Sequence, residues 1–301
     1  MAQIDIPSSA RPVHYYWHYI FSIVLVHAVA CLAMASYFFS WTGVIAFVAG
    51  LYFFNTLGIN LAYHRLLTHQ GMIVPKWLEY VLVTLGVCCL QDSPARWVAI
   101  HRMHHQHSDE EDDPHSPLAG FLWSHFGWLF VRNRNHDVVI HYERYVRDLL
   151  RDPYYFLLEK NLIWMWIYVV QVAVYLIAGF GIGMLAFGDS PRALQFALSV
   201  TVWGVFVRTV VAWHITWAVN SASHVWGYQS YQTGDSSRNN WFVALVSNGE
   251  GWHNNHHADQ RSAAHGHRWW EFDVTYITIW FLERVGLATK VIKPKAWKVS
   301  E

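Results

Sequence analysis

Charge is what this chain of 301 residues lacks most. Asp, Glu, Lys and Arg make up only 14% of it, against about 25% in an ordinary soluble domain. The deficit is concentrated. No charged residue occurs from Pro12 to His64 or from Asn161 to Gly188, and Arg208 stands alone between Ala193 and Gly234. Lys plus Arg balance Asp plus Glu at 21 each, so the chain has no basic excess with which to hold a nucleic acid. Cysteine is scarce too. Cys31, Cys88 and Cys89 all fall in apolar stretches, which excludes a disulfide framework and suits inert packing. The N-terminal MAQIDIPSSARP lacks the basic run of a cleavable signal, and the apolar stretch behind it is too long for one. Neither an H-P-G-G haem-ligand motif nor a G-x-G-x-x-G nucleotide loop is present.

What is present is long apolar runs and aromatic rings: 54% of residues are hydrophobic, with 18 Trp, 16 Tyr and 17 Phe. A hydrocarbon core about 30 Å thick needs roughly 20 apolar residues as helix, because lipid offers the backbone no hydrogen bonds. Four spans are expected, at about 19–39, 44–63, 162–187 and 194–219. The shorter stretch Val74–Leu90 contains Lys76 and Glu79. If it crossed, the histidines on either side of it would face opposite compartments, so it is expected to be buried, re-entrant or interfacial. The whole chain, 1–301, then reads as one domain, with residues 64–160 and 220–301 as a cap on one side. That side holds 19 of the 21 Lys and Arg residues, which makes it cytosolic, together with both termini.

Eight of the 20 histidines fall in three tight groups: His64 and His69 as H-x-x-x-x-H, then His101, His104 and His105, and His253, His256 and His257, both as H-x-x-H-H. Imidazole suits iron, copper and zinc. Positions i, i+3 and i+4 share a helix face, so each H-x-x-H-H is expected to converge on one point. The i,i+5 pair would splay by roughly 140° on an ideal helix, so His69 is expected past the helix end, or the helix distorted. Eight ligands exceed the needs of one ion and imply two. His265 and His267, in a polar stretch, are expected to be solvated, as is the acidic run Asp109–Asp113. The in-span Arg208 is expected to pair with a carbonyl or polar group inside the bundle.

The order of these boxes resembles the membrane-bound fatty acyl desaturases. The likeness extends to Gly58-Ile59, Asp113-Pro114-His115, Ser124-His125-Phe126-Gly127-Trp128, the Trp217–His224 element and Gly249-Glu250-Gly251-Trp252. It implies an all-α integral membrane protein whose cytosolic helical cap holds a di-iron site. It implies His224 as a ninth ligand, Asn220 near one metal through water, and Gln91, Trp97 and Thr216 at the bend of a substrate tunnel. Dioxygen would be co-substrate. Electrons would come from a separate protein of ferredoxin or cytochrome b5 type. The expected product is a cis double bond near the ninth carbon of a saturated C16–C18 chain.

One departure bears on the substrate. The acyl-CoA enzymes carry Arg-Asp immediately before the second box, where this chain has Ala99-Ile100. Without that charge pair an acyl-lipid is favoured over acyl-CoA, although Arg96 or Arg102 could compensate. Hydroxylation, or ketolation of a carotenoid, uses related sites; the Asn220/His224 element and the tunnel residues favour desaturation. A metal transporter would place its ligands within the spans, whereas these groups sit at span ends.

Overall fold

The computed structural model describes residues 6–135 and 137–298. The extreme termini, for which a cytosolic location is expected, lie outside these residues. The described chain is helical, with only isolated β-bridges.

Four helices are long and apolar enough to cross a membrane. The first, α1, is Trp17–Met34, and the second, α2, is Trp41–Thr68. Ser40 starts α2 by accepting a hydrogen bond from the Gly43 amide, as an N-cap does. The third long stretch is Pro153–Phe187, in which α6 (Pro153–Glu159) leads through a short turn into α7 (Ile163–Phe187). The fourth, α8, is Ser190–Val225. Gly188, at φ +73°, closes α7, and Asp189 caps α8. These two helices pack closely because Gly179 and Gly183 face Ala197 and Ala193, where a β-carbon would crowd the opposing backbone. Small residues of this kind let membrane helices approach.

Two spans run well past the expected ends. At 1.5 Å per residue, the 36 residues of α8 extend about 50 Å, beyond a hydrocarbon core of about 30 Å. The excess of α8 carries Asn220 and His224, and that of α2 carries His64. These three side chains thus stand on the rigid continuation of spans.

The doubtful stretch Val74–Leu90 forms α3 (Lys76–Val87). Its 12 residues reach about 18 Å, too short to cross. Lys76 and Glu79 stay at its outer end, where Lys76 also pairs with Asp152. At the inner end α3 meets α2 backbone to backbone: a β-carbon on Gly58 would collide with Leu85 and Gly86. Arg208, fully buried, closes that end. Its guanidinium donates to Cys88 O at 2.9 Å and Gln171 Oε1 at 3.1 Å and lies over the Phe54 ring. A cation at the carbonyl end of a helix is favourable, so the in-span charge fastens the re-entrant segment. Burial pushes the Cys89 thiol up to about 12, in keeping with an inert residue. Cys31 departs from expectation, being exposed on α1.

Five further helices build most of the cap: α4 (Pro94–His107), α5 (Val139–Leu150), α9 (Trp241–Val246), α10 (His253–Ala258) and α11 (Val274–Arg284). Ser93 caps α4 and Pro94 occupies its first turn. Asp273 caps α11 through the Tyr276 amide while its other oxygen accepts from Arg65.

Candidate metal centre and cavity

All nine sequence-derived histidines meet at the end of the bundle, in two groups. His64, His69, His101, His105 and His256 form one; His104, His224, His253 and His257 form the other. Within each group the ligating nitrogens lie within 4.8 Å of one another.

The wide winding of α2 explains the first box. From Leu51 to Thr68 the helix is π-type, with bonds from i to i+5. The His69 amide accordingly donates to His64 O, and the Thr68 hydroxyl to Tyr63 O. The fivefold spacing that would splay two rings on an α-helix brings them edge to face here, with ring centroids 4.8 Å apart. His69 also stands just past the helix end.

The two H-x-x-H-H boxes do not each converge on one point, contrary to expectation. On α4, His101 and His105 face the five-histidine group and His104 the other. On α10 the assignment is reversed: His253 and His257 face the four-histidine group and His256 the five. The reason is angular. Residues i and i+4 differ by about 40° around a helix, whereas i+3 and i+4 diverge by about 100°. Each box therefore supplies a pair to one group and a single ring to the other.

Carboxylates set the tautomers. The Nδ1–H groups of His64, His104 and His257 donate to Glu250 (2.5 Å), Asp113 (2.9 Å) and Asp235 (2.7 Å), and His224 Nδ1 lies 3.2 Å from both Ser236 Oγ, its hydrogen-bond partner, and Asp109. A ring that donates from Nδ1 presents a bare lone pair at Nε2. Those lone pairs point at one another. His64 Nε2 lies 3.1 Å from His256 Nε2, and His224 Nε2 lies 3.0 Å from His253 Nε2. The Nε2 atoms of His69, His104 and His257 are buried with no hydrogen-bond partner. Two nitrogens bound to one ion at about 2.1 Å are separated by roughly 3.0–3.4 Å. The donor set, its spacing and its orphaned nitrogens thus fit two metal ions. Burial, reinforced by neighbouring rings, holds His101, His105, His253 and His256 well below the usual imidazole range, in the neutral form that metals bind.

The carboxylates are themselves braced, and the sequence reading missed this layer. Glu250 receives Arg65 at 2.7 Å, and Arg65 also reaches Asp273 at 2.8 Å, all three buried. Arg65 is the residue after His64, yet its partners lie 185 and 208 positions away, so no local pattern announces them. The run Asp109–Asp113 is corrected in part: Glu110, Glu111 and Asp112 are exposed, but Asp113 is buried on His104 and Asp109 lies against His224. His265 and His267 are not solvated. They are 0% and 9% exposed, and the His265 ring packs, tilted, against that of His256 at 4.3 Å.

Beneath the histidines lies a cavity of about 490 Å³, within the range of small-molecule sites. His64, His101 and His253 line its inner end, with Asn220 beside them. Gln91, Trp97 and Thr216 line it as well. Gln91 Nε2 donates to Thr216 Oγ1 at 3.1 Å, tying the start of α4 to α8, and Trp97 stacks on His101 at 5.1 Å. The walls are otherwise mostly apolar, among them Ile23, Ile59, Leu90, Ile100, Leu129 and Trp213. The outer end reaches His18, Tyr19, Arg96, Asp137, Val138, Val139, Tyr142, Glu159 and Leu162, where α1 and α7 begin. Arg102 does not line the cavity. Its guanidinium is held by Asp148 and the Leu67 and Tyr145 carbonyls.

Comparison with known proteins gives a consistent result. Residues 38–276 match the fatty acid desaturase family. An sn-1 stearoyl-lipid 9-desaturase of Synechocystis sp. is 43% identical over 92% of this chain and 80% of its own. One of the same description from Anabaena variabilis is 43% identical over 88% of this chain and 90% of its own. An sn-2 palmitoyl-lipid 9-desaturase of Nostoc sp. is 40% identical over 88% and 86%.

Proposed function

Because the chain belongs to the fatty acid desaturase family, we propose that it is an oxygen-dependent acyl-lipid desaturase that introduces a cis double bond at the ninth carbon of a saturated C16–C18 chain. The observation that carries this reading is a single cavity lined both by residues at the starts of α1 and α7 and by His64, His101 and His253, with Gln91, Trp97 and Thr216 among its walls. A cavity of that kind can hold an extended chain with one carbon–carbon bond beside the metals. The named relatives support the ninth carbon and a lipid-borne chain.

In this reading the nine histidines are the ligands of two iron ions, and Asn220 acts on one of them through water. Iron held there would supply the redox chemistry with dioxygen that removes hydrogens from an unactivated methylene, which no side chain can do by acid–base means. The protein's own part is positional. Trp97, packed against His101 and Tyr63, and the Gln91–Thr216 bond fix the bend, and the apolar walls exclude water. Electrons come from a separate ferredoxin or cytochrome b5 type protein. The cap, residues 64–160 and 220–301, faces the cytosol, as the clustering of Lys and Arg on that side supports.

The geometry favours a lipid over CoA. The two cations that could replace the missing Arg-Asp pair are both engaged: Arg102 with Asp148, and Arg96 with Asp92 and Tyr19. The test is reconstituted protein with an electron donor, offered stearoyl phospholipid or galactolipid and stearoyl-CoA in parallel, with double bonds located by mass spectrometry. A 9-cis product from lipid is expected. Turnover of the CoA ester alone would overturn the lipid assignment, and a bond far from the ninth carbon would overturn the bend.

A further inference from the structure

The nine histidines have an outer side as well as a cavity side. His64, His101 and His253 line the cavity. His69, His105 and His257 are not among its described lining residues, yet they keep some exposure. His69 and His257 are each 8% exposed, and His105 is the one ring of the nine that is only partly buried. The three rings form a row, with His105 at 4.7 Å from His69 and 4.6 Å from His257. His69 and His105 belong to the five-histidine group and His257 to the four, so the row touches both groups from a side other than the cavity.

The surface around this row is polar and short of free acid. Gln70, Gln106 and Ala258, each the next residue after one of the three rings, are exposed, as is Gln260. Gly71 is the junction behind His69: a β-carbon on it would lie 3.0 Å from Arg261 O, and its carbonyl accepts from the Ile292 amide at 2.8 Å. That junction brings Arg261 and Lys293 to the edge of the row. Arg261, Lys290 and Lys293 are exposed and have no carboxylate partner among the described residues. The nearby acids are committed: Asp148 to Arg102, Asp259 to Lys295, Asp235 to His257 and Glu110 to His107. Glu111 and Asp112 are exposed but sit on the loop folded over His104 and His224.

Resting on the desaturase reading above, we propose that the His69–His105–His257 row is the electron-entry face, and that Gln70, Gln106, Arg261 and Lys293 form its contact with an acidic one-electron carrier protein. Each double bond consumes dioxygen, two electrons and two protons and releases two waters. Two hydrogens leave the acyl chain, and their two electrons join two from the carrier in reducing dioxygen, so the carrier is oxidised twice per turnover. Electron transfer slows steeply with distance, and this row is the part of the histidine cluster open to the outside other than through the cavity. Redox encounters are small and transient, so a few uncommitted cations beside uncharged glutamines suffice. Such rim charges act on the rate of encounter and its salt dependence.

The experiment uses the full-length protein in nanodiscs, with a [2Fe–2S] ferredoxin and a cytochrome b5 as probes. Binding to metal-free protein is read by biolayer interferometry, and oxidation of the reduced carrier by iron-loaded protein is read by stopped-flow absorbance. At least one carrier should bind, and more weakly as salt rises from about 0.1 M to about 1 M and the Debye length falls from about 10 Å to about 3 Å. Arg261→Glu should weaken that binding at least about tenfold, and Arg134→Glu less than about twofold. Arg134 is the control for net charge, exposed and bonded to Arg11 O. Cys31 is exposed and Cys88 and Cys89 are buried, so a Cys31→Ser background allows a bulky maleimide to be placed on the Gln106→Cys variant alone. That label should slow carrier oxidation at least about tenfold while a small viologen still drives turnover. Binding of neither carrier, equal effects of Arg261→Glu and Arg134→Glu, or carrier oxidation indifferent to the label would each overturn the proposal. A label that slows the viologen equally disturbs the ligands, and Arg261→Glu then decides. Binding at this face without lipid product would leave the face standing and sink the desaturase reading; product driven by a carrier indifferent to both changes would do the reverse.

Discussion

The two histidine groups differ in how they are built. The five-histidine group takes His64 and His69 from the π-wound end of a span, and among the described residues only one of its five rings, His64, is held by a carboxylate. The four-histidine group has three rings with a carboxylate at Nδ1, Asp113, Asp109 and Asp235, all from segments between helices. One group gains its geometry from ligand number and a rigid helix. The other gains it from loops folded over its outer side. The single brace of the first group is also the most deeply anchored, through Arg65 to Asp273 and the cap of α11. Disturbing the first group should therefore disturb the fold, and disturbing the second should chiefly loosen the metal.

Removing a ligand breaks the comparison most severely. His256→Ala, from the five-histidine group, and His224→Ala, from the four, should each reduce desaturation below about a hundredth, more than the roughly 10–100-fold that follows loss of a ligand's hydrogen-bond partner. Each should also lower the iron content from two ions per chain towards one. His14→Ala, exposed and remote from both groups, should change neither. Two irons retained in His224→Ala would remove that residue from the ligand set.

The braces sharpen the difference. Glu250→Ala leaves Arg65 buried and half-paired, and breaking a buried pair costs about 3–5 kcal/mol; a marked fall in melting temperature is expected even without metal. Asp235→Ala removes a partner at the cavity-distant side of His257 and should spare the fold, costing instead roughly 10–100-fold in metal affinity. Thermal melts with and without chelator separate the two effects. Equal destabilisation by both substitutions would show that the groups are held alike.

The long apolar runs and the three boxes made the four spans, the short α3 and eight of the histidines legible before any coordinates, and the family resemblance added His224. The division of the histidines was not, because a shared helix face does not distinguish the 40° neighbour from the 100° one. Nor were the braces: Glu250 was visible as part of Gly249-Glu250-Gly251-Trp252, but its contact with His64 spans 186 positions. His265 looked solvated because its neighbours are polar, yet those neighbours are buried too, among them Ser262, Asp273 and Glu271. A polar sequence that satisfies itself internally reads like a loop. The i,i+5 pair was the opposite case. Its misfit to an α-helix was itself the signal that the backbone departs from one.

The smallest effect expected is on pH, and it follows from the layer behind the four-histidine group. Burial, with His104 beside it, pushes His115 down to about 3 despite Asp113. Burial likewise pushes His257 to about 4, partly offset by Asp235. In the unfolded chain both rings take up protons near 6.5. Below that pH the unfolded state therefore binds more protons than the folded one, and stability falls as pH falls. The carboxylates act in the same sense at lower pH, since Asp113 and Asp235, although burial would raise them, are held below the ordinary range by their histidines. His104 opposes, because Asp113 outweighs burial and raises it. For metal-free protein the net expectation is a loss of stability as pH falls from 7 to 5, to which the neutral-held His101, His105, His253 and His256 contribute in the same sense, read as a falling melting temperature in detergent. His115→Gln should flatten that slope, because it removes a buried ring that resists protonation. A melting temperature independent of pH over this range would show that these rings are not held neutral by their surroundings, and the contrast between the loop-braced and helix-built groups would lose its electrostatic half.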